Sequence, residues 1–173
     1  MQQPTHSFVV RAARPADVPA LMRLKRLLAE GENSLHAVQA TEAHWLRDGF
    51  GPNAGFYAFV AESGGTVVGM ATCGKRLITG WNGPIMFLQD LFVEAEHRKQ
   101  GIARALMGRI AAFARDMGSP IVELTVAANN AAAQDFYRKA GCMALPQCLT
   151  YVLAGPPLAT LAEQDKAPLA LAG

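Results

Sequence analysis

The chain has 173 residues, 51% of them hydrophobic, and a formal charge of only +2. That length favours one domain, and that composition is enough to bury a core. A charge so near zero excludes a general nucleic-acid grip, and no uncharged apolar run reaches the ~18 residues of a membrane span.

The N-terminal stretch MQQPTHSFVV lacks a cationic segment followed by a long apolar one, so no secretory signal is expected. Phe8, Val9 and Val10 predict a short strand. Asp17 is placed to cap a helix whose apolar positions Val18, Leu21, Leu24 and Leu28 recur at helical spacing, and Gly31 ends it. Residues 41–48 predict a second short helix, and DGFGPNAG (48–55) a loop. Residues 56–62 and 66–75 flank Ser63, Gly64 and Gly65 and predict a hairpin, with residues 84–94 as the next strand. Ile102, Leu106, Ile110, Phe113 and Met117 mark one face of a helix ending near Gly118. Residues 121–126 are apolar almost throughout, as a buried central strand is. Residues 130–140 predict a helix closed by Gly141, and residues 149–153 a last strand. Beyond Gly155 the composition turns to Ala, Pro and Leu without period. One domain over 1–155 and a tail over 156–173 are therefore expected. The element order predicts an α/β fold on a mixed sheet.

Two stretches carry chemistry. MFLQDLFV (86–93) is apolar on both faces and so predicts a central strand, yet Gln89 and Asp90 interrupt it. A buried carboxylate needs partners. Either a bulge satisfies these polar groups, or the sheet opens here and exposes backbone in a cleft. Strict alternation sends Asp90 to the face opposite Gln89. The second stretch is EHRKQGIARAL (96–106), in which a glycine stands at the mouth of a helix. Free N–H groups of a first helical turn, with the helix dipole, attract an anion. Gly101 lets a ligand approach the backbone, and Arg98, Lys99 and Arg104 supply counter-charge. From 98 to 115 five basic residues stand with no acid between them, which suits a localised anion site. Neither G-x-x-x-x-G-K-[ST] nor G-x-G-x-x-G is present, so the cradle suits a diphosphate outside the P-loop and dinucleotide folds.

The motif R-K-Q-G-I-A (98–103) resembles the [RQ]-x-x-G-x-[GA] loop of the GNAT superfamily of acyl-CoA-dependent N-acetyltransferases. Asn130, Ala133, Phe136, Tyr137 and Gly141 match that family's N-x-x-A-x-x-F-Y-x-x-x-G. LRDGFG (46–51), Trp81 and FLQDLFV (87–93) look most like the diamine and thialysine acetyltransferase branch. The resemblance covers roughly 8–153 and implies a largely antiparallel central sheet flanked by helices and splayed at its central strand. It implies acetyl-CoA as co-substrate and no metal. Backbone of Leu91, Phe92 and Val93 would hold the pantetheine arm. Amides of Lys99, Gln100, Gly101, Ile102, Ala103 and Arg104, with Arg98, would hold the pyrophosphate. The Asn130 side chain would bond to the pantetheine, and the Tyr137 hydroxyl would protonate the departing thiolate. A phenol is a proton donor at neutral pH, which independently suits Tyr137 to that task.

The implied chemistry is direct attack of a small-molecule primary amine on the thioester. Trp81, Gln89 and Asp90 are the candidate acceptor-side residues. Relatives of the polyamine type carry a carboxylate where Gln89 stands, and the loop ITGWNGP (78–84) carries no acid. Cys73, Cys142 and Cys148 match no zinc or CxxC spacing and predict free thiols in a reducing compartment, hence a cytoplasmic protein with no membrane partner. His6 reads as part of a terminal tail, and His36 and His44 predict surface positions, with a substrate role kept open for His44 beside the loop. A homodimer is what the branch implies. Acetylation of a protein N-terminus or lysine is the alternative enzyme, and a non-catalytic acyl-CoA sensor is the alternative of another class.

Overall fold

The computed structural model describes residues 8–80 and 82–163. Five strands form one sheet in the order β1-β2-β3-β4-β5: β1 Phe8–Ala12, β2 Tyr57–Ser63, β3 Thr66–Leu77, β4 Pro84–Val93 and β5 Val122–Leu124. The first four pair antiparallel, and β5 pairs parallel to β4. Helices α1 (Val18–Gly31) and α2 (Glu42–Phe50) fall between β1 and β2, and α3 (Ile102–Asp116) connects β4 to β5. The chain divides into two compact units, Met1–Asn130 and Ala131–Gly173. The second holds α4 (Ala131–Lys139) and α5 (Gly155–Glu163). Among the described residues no helix is long and apolar enough to cross a membrane.

Local chemistry accounts for the first unit. β3 is buried from Val67 through Gly74 without a break, as a strand covered on both faces must be. Val60 of β2 pairs with Met70 of β3, and both join Val18, Leu21, Met22 and Leu24 of α1 in one apolar cluster. The next pair, Phe59 with Ala71, faces the other way, and there Phe113 of α3 meets the Phe59 ring edge-on at 5.3 Å. Ile102, Leu106, Ile110 and Ala114 bury the inner face of α3. The helices α1 and α3 thus cover opposite faces of β2 and β3.

Asp17 stands at the N-cap position of α1, as expected, but its carboxylate makes no cap there. It accepts from both terminal nitrogens of Arg11 at 2.7 and 2.9 Å, and from the Arg14 N–H at 2.7 Å. The Arg11 hydrogen bonds hold the Asp17 carboxyl below its ordinary range. A carboxyl whose folded value is lowered stabilises the fold above its unfolded value of about 3.9 and loses that contribution as pH falls through the folded value. Asp17→Asn is expected to cost about 2 kcal/mol at neutral pH. The parent and the variant should converge as denaturation is repeated below about pH 4; an equal gap at pH 2.5 and pH 7 would refute the assignment.

Three expected elements differ. Residues 121–126 are expected to be a central strand, but only Val122–Leu124 pair, and β5 lies at the end of the described sheet. An apolar run settles neither burial nor pairing: Val122–Leu124 are half-buried, and Ile121 is 38% exposed. Residues 149–153, expected as a strand, form none, and Tyr151 is 88% and Val152 82% exposed. The second unit has no strand among its described residues to complete a ladder. The expected tail begins with the nine-residue α5. Its Ala and Leu residues favour helix, and Pro156 and Pro157 fall in the first turn, where a missing N–H costs nothing.

Candidate active site

β3 and β4 pair from Gly69 with Val93 to Leu77 with Pro84, and the register breaks once, at Thr72 and Cys73. Thr72 faces Asp90 while Cys73 faces Leu88, so Gln89 is the extra residue of a β-bulge. Asp90, expected on the opposite face, is instead brought to the same cleft as Gln89. One inserted residue resets the alternation, and no pattern within a single strand reveals it. The two readings of this strand are therefore both realised. Asp90 is satisfied, accepting from Lys25 Nζ at 2.5 Å and Thr72 Oγ1 at 2.7 Å, and a cleft opens beside it.

The cleft is about 370 Å³. Its polar wall is Lys25, Thr72, Gln89 and Asp90; its apolar wall is Trp45, Phe56 and Phe87. Trp45 is carried by α2, whose first turn Thr41 caps by accepting from the His44 N–H at 3.4 Å. His44 Nδ1 in turn accepts from the Thr41 N–H at 3.2 Å, so that ring is engaged in the cap. The Trp45 and Phe56 rings meet edge-on at 5.2 Å. Gly74 lies under the Gln89 amide: a Cβ there would stand 3.4 Å from Nε2 and 3.2 Å from the Gly55 carbonyl oxygen. Arg76 sits over Phe87 at 5.6 Å and pairs with Glu123 at 2.5 Å.

Reading the chain alone did not find Lys25, Thr72 or the three aromatics. One signal was available for Lys25. Val18, Leu21 and Met22 are buried, and position 25 continues that stripe. A lysine on the buried stripe of a helix needs an anionic partner across the core.

The other half of the site begins where β5 stops. β5 pairs with β4 only at Met86, Phe87 and Leu88. From Gln89 to Val93, the β4 edge facing away from β3 has no paired strand among the described residues. That edge can offer backbone groups to an extended ligand, apart from the Val93 carbonyl, which accepts from Arg98 Nε, and the early end of the pairing is the splay expected of this sheet. A 3-10 turn, Ala95–His97, then leads to Lys99 at φ 61° and Gly101 at φ 84°. The first helical hydrogen bond of α3 runs from the Ala105 N–H to the Gly101 carbonyl at 3.0 Å, so the amides of Ile102, Ala103 and Arg104 precede the ladder. A Cβ built on Gly101 meets nothing within 4 Å. Open space over a helix mouth whose first amides precede the ladder can receive an anionic group.

Arg98 behaves differently from its neighbours. Its Nε donates to the Val93 carbonyl at 2.9 Å, and its guanidinium lies 5.7 Å from the Phe92 ring centroid. Its guanidinium is held at the end of β4 by these contacts, and Arg98, Lys99 and Arg104 are all exposed. Gln100 Nε2 donates to the Glu96 carbonyl at 3.2 Å. Leu91 and Phe92 are half-buried and Val93 buried. Asn130 ends the first unit, its N–H donating to the Ala127 carbonyl at 2.9 Å. Tyr137 belongs to the second unit, on α4, its ring 5.2 Å from that of Phe136. Trp81 lies outside the described residues. Burial pushes the Cys73 thiol up to about 12, so it is a neutral core group at pH 7 and no nucleophile.

The profile of the Acetyltransferase (GNAT) family matches residues 20–142. The thialysine N-epsilon-acetyltransferase of Sus scrofa is 32% identical over 148 residues, covering 82% of this chain and 87% of that protein. The spermidine/spermine N(1)-acetyltransferase-like protein 1 of Homo sapiens is 32% identical over 145 residues. That match covers 80% of this chain, which spans only 21% of the human protein's length. An aminoglycoside acetyltransferase from an uncultured soil metagenomic sample shares the fold at a TM-score of 0.73 and 22% identity, over 85% of this chain and 95% of that one.

Proposed function

The chain belongs to the GNAT family of acetyltransferases, and from that premise we propose that it carries the acetyl group of acetyl-CoA directly to a primary amine of a small molecule. The observation that carries this reading is the bulge at Gln89, which joins the acceptor cleft to the unpaired edge of β4, whose end at Val93 lies eight residues before Gly101 at the helix mouth. Acetyl-CoA supplies an acyl group on a good thiolate leaving group. Backbone of Leu91, Phe92 and Val93 aligns its pantetheine arm, with the Asn130 side chain as a further contact. Amides of Lys99, Gln100, Gly101, Ile102, Ala103 and Arg104 hold its diphosphate, with Lys99 and Arg104 adding charge. Arg98 acts one step back, bracing the Val93 carbonyl. Backbone donors at the bulge stand where negative charge develops on the carbonyl oxygen. Tyr137 gives its proton to the leaving sulfur. The reading extends to a homodimer in the cytoplasm. Release of free thiol from acetyl-CoA across a panel of amines tests it, and CoA binding without turnover on any amine would favour a sensor instead.

The cleft also bears on the acceptor. Asp90 is already paired with Lys25, and Gln89 is neutral, so no uncompensated carboxylate lines the wall. A polycation gains most from charge-assisted contacts in a partly desolvated cleft. Spermidine and spermine should therefore be poor acceptors, and mono-amines or amino acids with one side-chain amine better ones. Gln89→Glu should raise kcat/KM toward diamines by about tenfold. The measurement is kcat/KM for spermine, spermidine, thialysine, lysine and simple primary amines. Spermine or spermidine ranking first for the parent would overturn the expectation.

A further inference from the structure

Lys25 stands on the buried stripe of α1 and its Nζ donates to Asp90 Oδ1 at 2.5 Å. The other carboxylate oxygen accepts from Thr72 Oγ1 at 2.7 Å. Asp90 is 9% exposed and the Lys25 side chain 32%, and both line the acceptor cleft. A carboxylate at this depth beside an apolar wall is a natural seat for an incoming ammonium group. In this chain the seat is taken by the chain's own ammonium.

We propose that Lys25 is a specificity-determining residue, a resident cation that fills the Asp90 seat and bars the second positive charge of a diammonium acceptor. The proposal rests on the acetyltransferase reading for its kinetic consequence, but not for its binding consequence. Three features support a selective role beyond packing. The pair sits at the bulge that creates the cleft, so its charge faces the acceptor. Thr72 holds the free oxygen of Asp90 from within the sheet, which fixes the carboxylate whether or not Lys25 is present. The other ion pair at this face, Arg76 with Glu123, is also balanced and leaves no second anion to receive a dication. Like charges brought together in a partly dry cleft repel more strongly than in water. A mono-amine brings only the charge it loses on becoming a nucleophile, so Lys25 penalises it less.

Lys25→Met removes the charge and keeps most of the stem. The expected result is a rise of about 10- to 100-fold in the ratio of kcat/KM for putrescine to that for butylamine. Putrescine titrated by calorimetry into the CoA-loaded enzyme, with no acetyl donor, should bind tighter by a similar factor. Lys25→Arg should retain the parent's ratio, and adding Asp90→Asn to Lys25→Met should cancel the gain. Should methionine lower the melting temperature, Lys25→Gln carries the same test with a donor to Asp90 retained. An unchanged ratio and unchanged putrescine binding in a variant that melts like the parent overturn the proposal. If the parent releases thiol with none of the amines tested, the acetyltransferase reading fails, and the putrescine titration alone decides the role of Lys25.

Discussion

Gly101→Glu abolishes CoA binding at concentrations that saturate the parent, as read by titration calorimetry. Two effects combine. Gly101 sits at φ 84°, where an L side chain costs roughly 1–2 kcal/mol. The larger effect is electrostatic. A side chain built on Gly101 meets no protein atom within 4 Å, so it extends into the space over the helix mouth. There a carboxylate displaces the diphosphate, repels it, and competes for the amides of Ile102, Ala103 and Arg104. Gly101→Ala separates the two causes, since it carries the backbone strain without the charge and should weaken binding only about tenfold. Ile102, Leu106 and Ile110 stay buried in both variants, so α3 should persist by circular dichroism. Calorimetry showing Gly101→Glu binding CoA like the parent would remove the cradle from this loop.

The helix mouth was legible because every part of it is local. A strand, a turn, a glycine and an apolar helical stripe all fall between residues 86 and 117, and each has its own sequence signal. The same holds for the hairpin at Gly64 and Gly65. The acceptor cleft was half legible. Gln89 and Asp90 stand out as polar residues in an apolar strand, and the need for partners was evident. Their shared orientation was not, because a bulge is a property of two paired strands, and residue 72 had to be matched to residue 90 to see it. Lys25 lies 65 residues from its carboxylate, and only the packing of α1 across the sheet joins them. The expected strand at 149–153 failed for a different reason. Strand propensity at 149–153 describes a segment that fits a ladder, and propensity cannot supply the neighbour that makes the ladder.

Tyr137→Phe lowers turnover by about 10²–10⁴-fold while CoA affinity stays within error of the parent. The expectation follows from the role proposed for the hydroxyl. A thiolate leaving an acyl centre gains from a positioned proton donor, and a phenol keeps its proton at neutral pH. In the proposed reading the diphosphate and pantetheine contacts fall to backbone and to Asn130, so loss of one oxygen should leave ground-state binding intact. Phe136 meets the Tyr137 ring edge-on, and phenylalanine at 137 preserves that ring contact; a melting curve of the variant reports any structural cost separately from the chemical one. Steady-state turnover alone can hide the effect where product release is slow. Single-turnover acetylation, with enzyme in excess over acetyl-CoA and the best amine of the panel saturating, reads the chemical step itself. A further arm uses acetyl donors whose leaving thiols are more acidic than CoA. A better leaving group has less need of a proton, so the penalty of the variant should shrink as the thiol pKa falls. A single-turnover rate equal to that of the parent, or a penalty independent of thiol acidity, removes Tyr137 as the proton donor and leaves the ring as packing on α4.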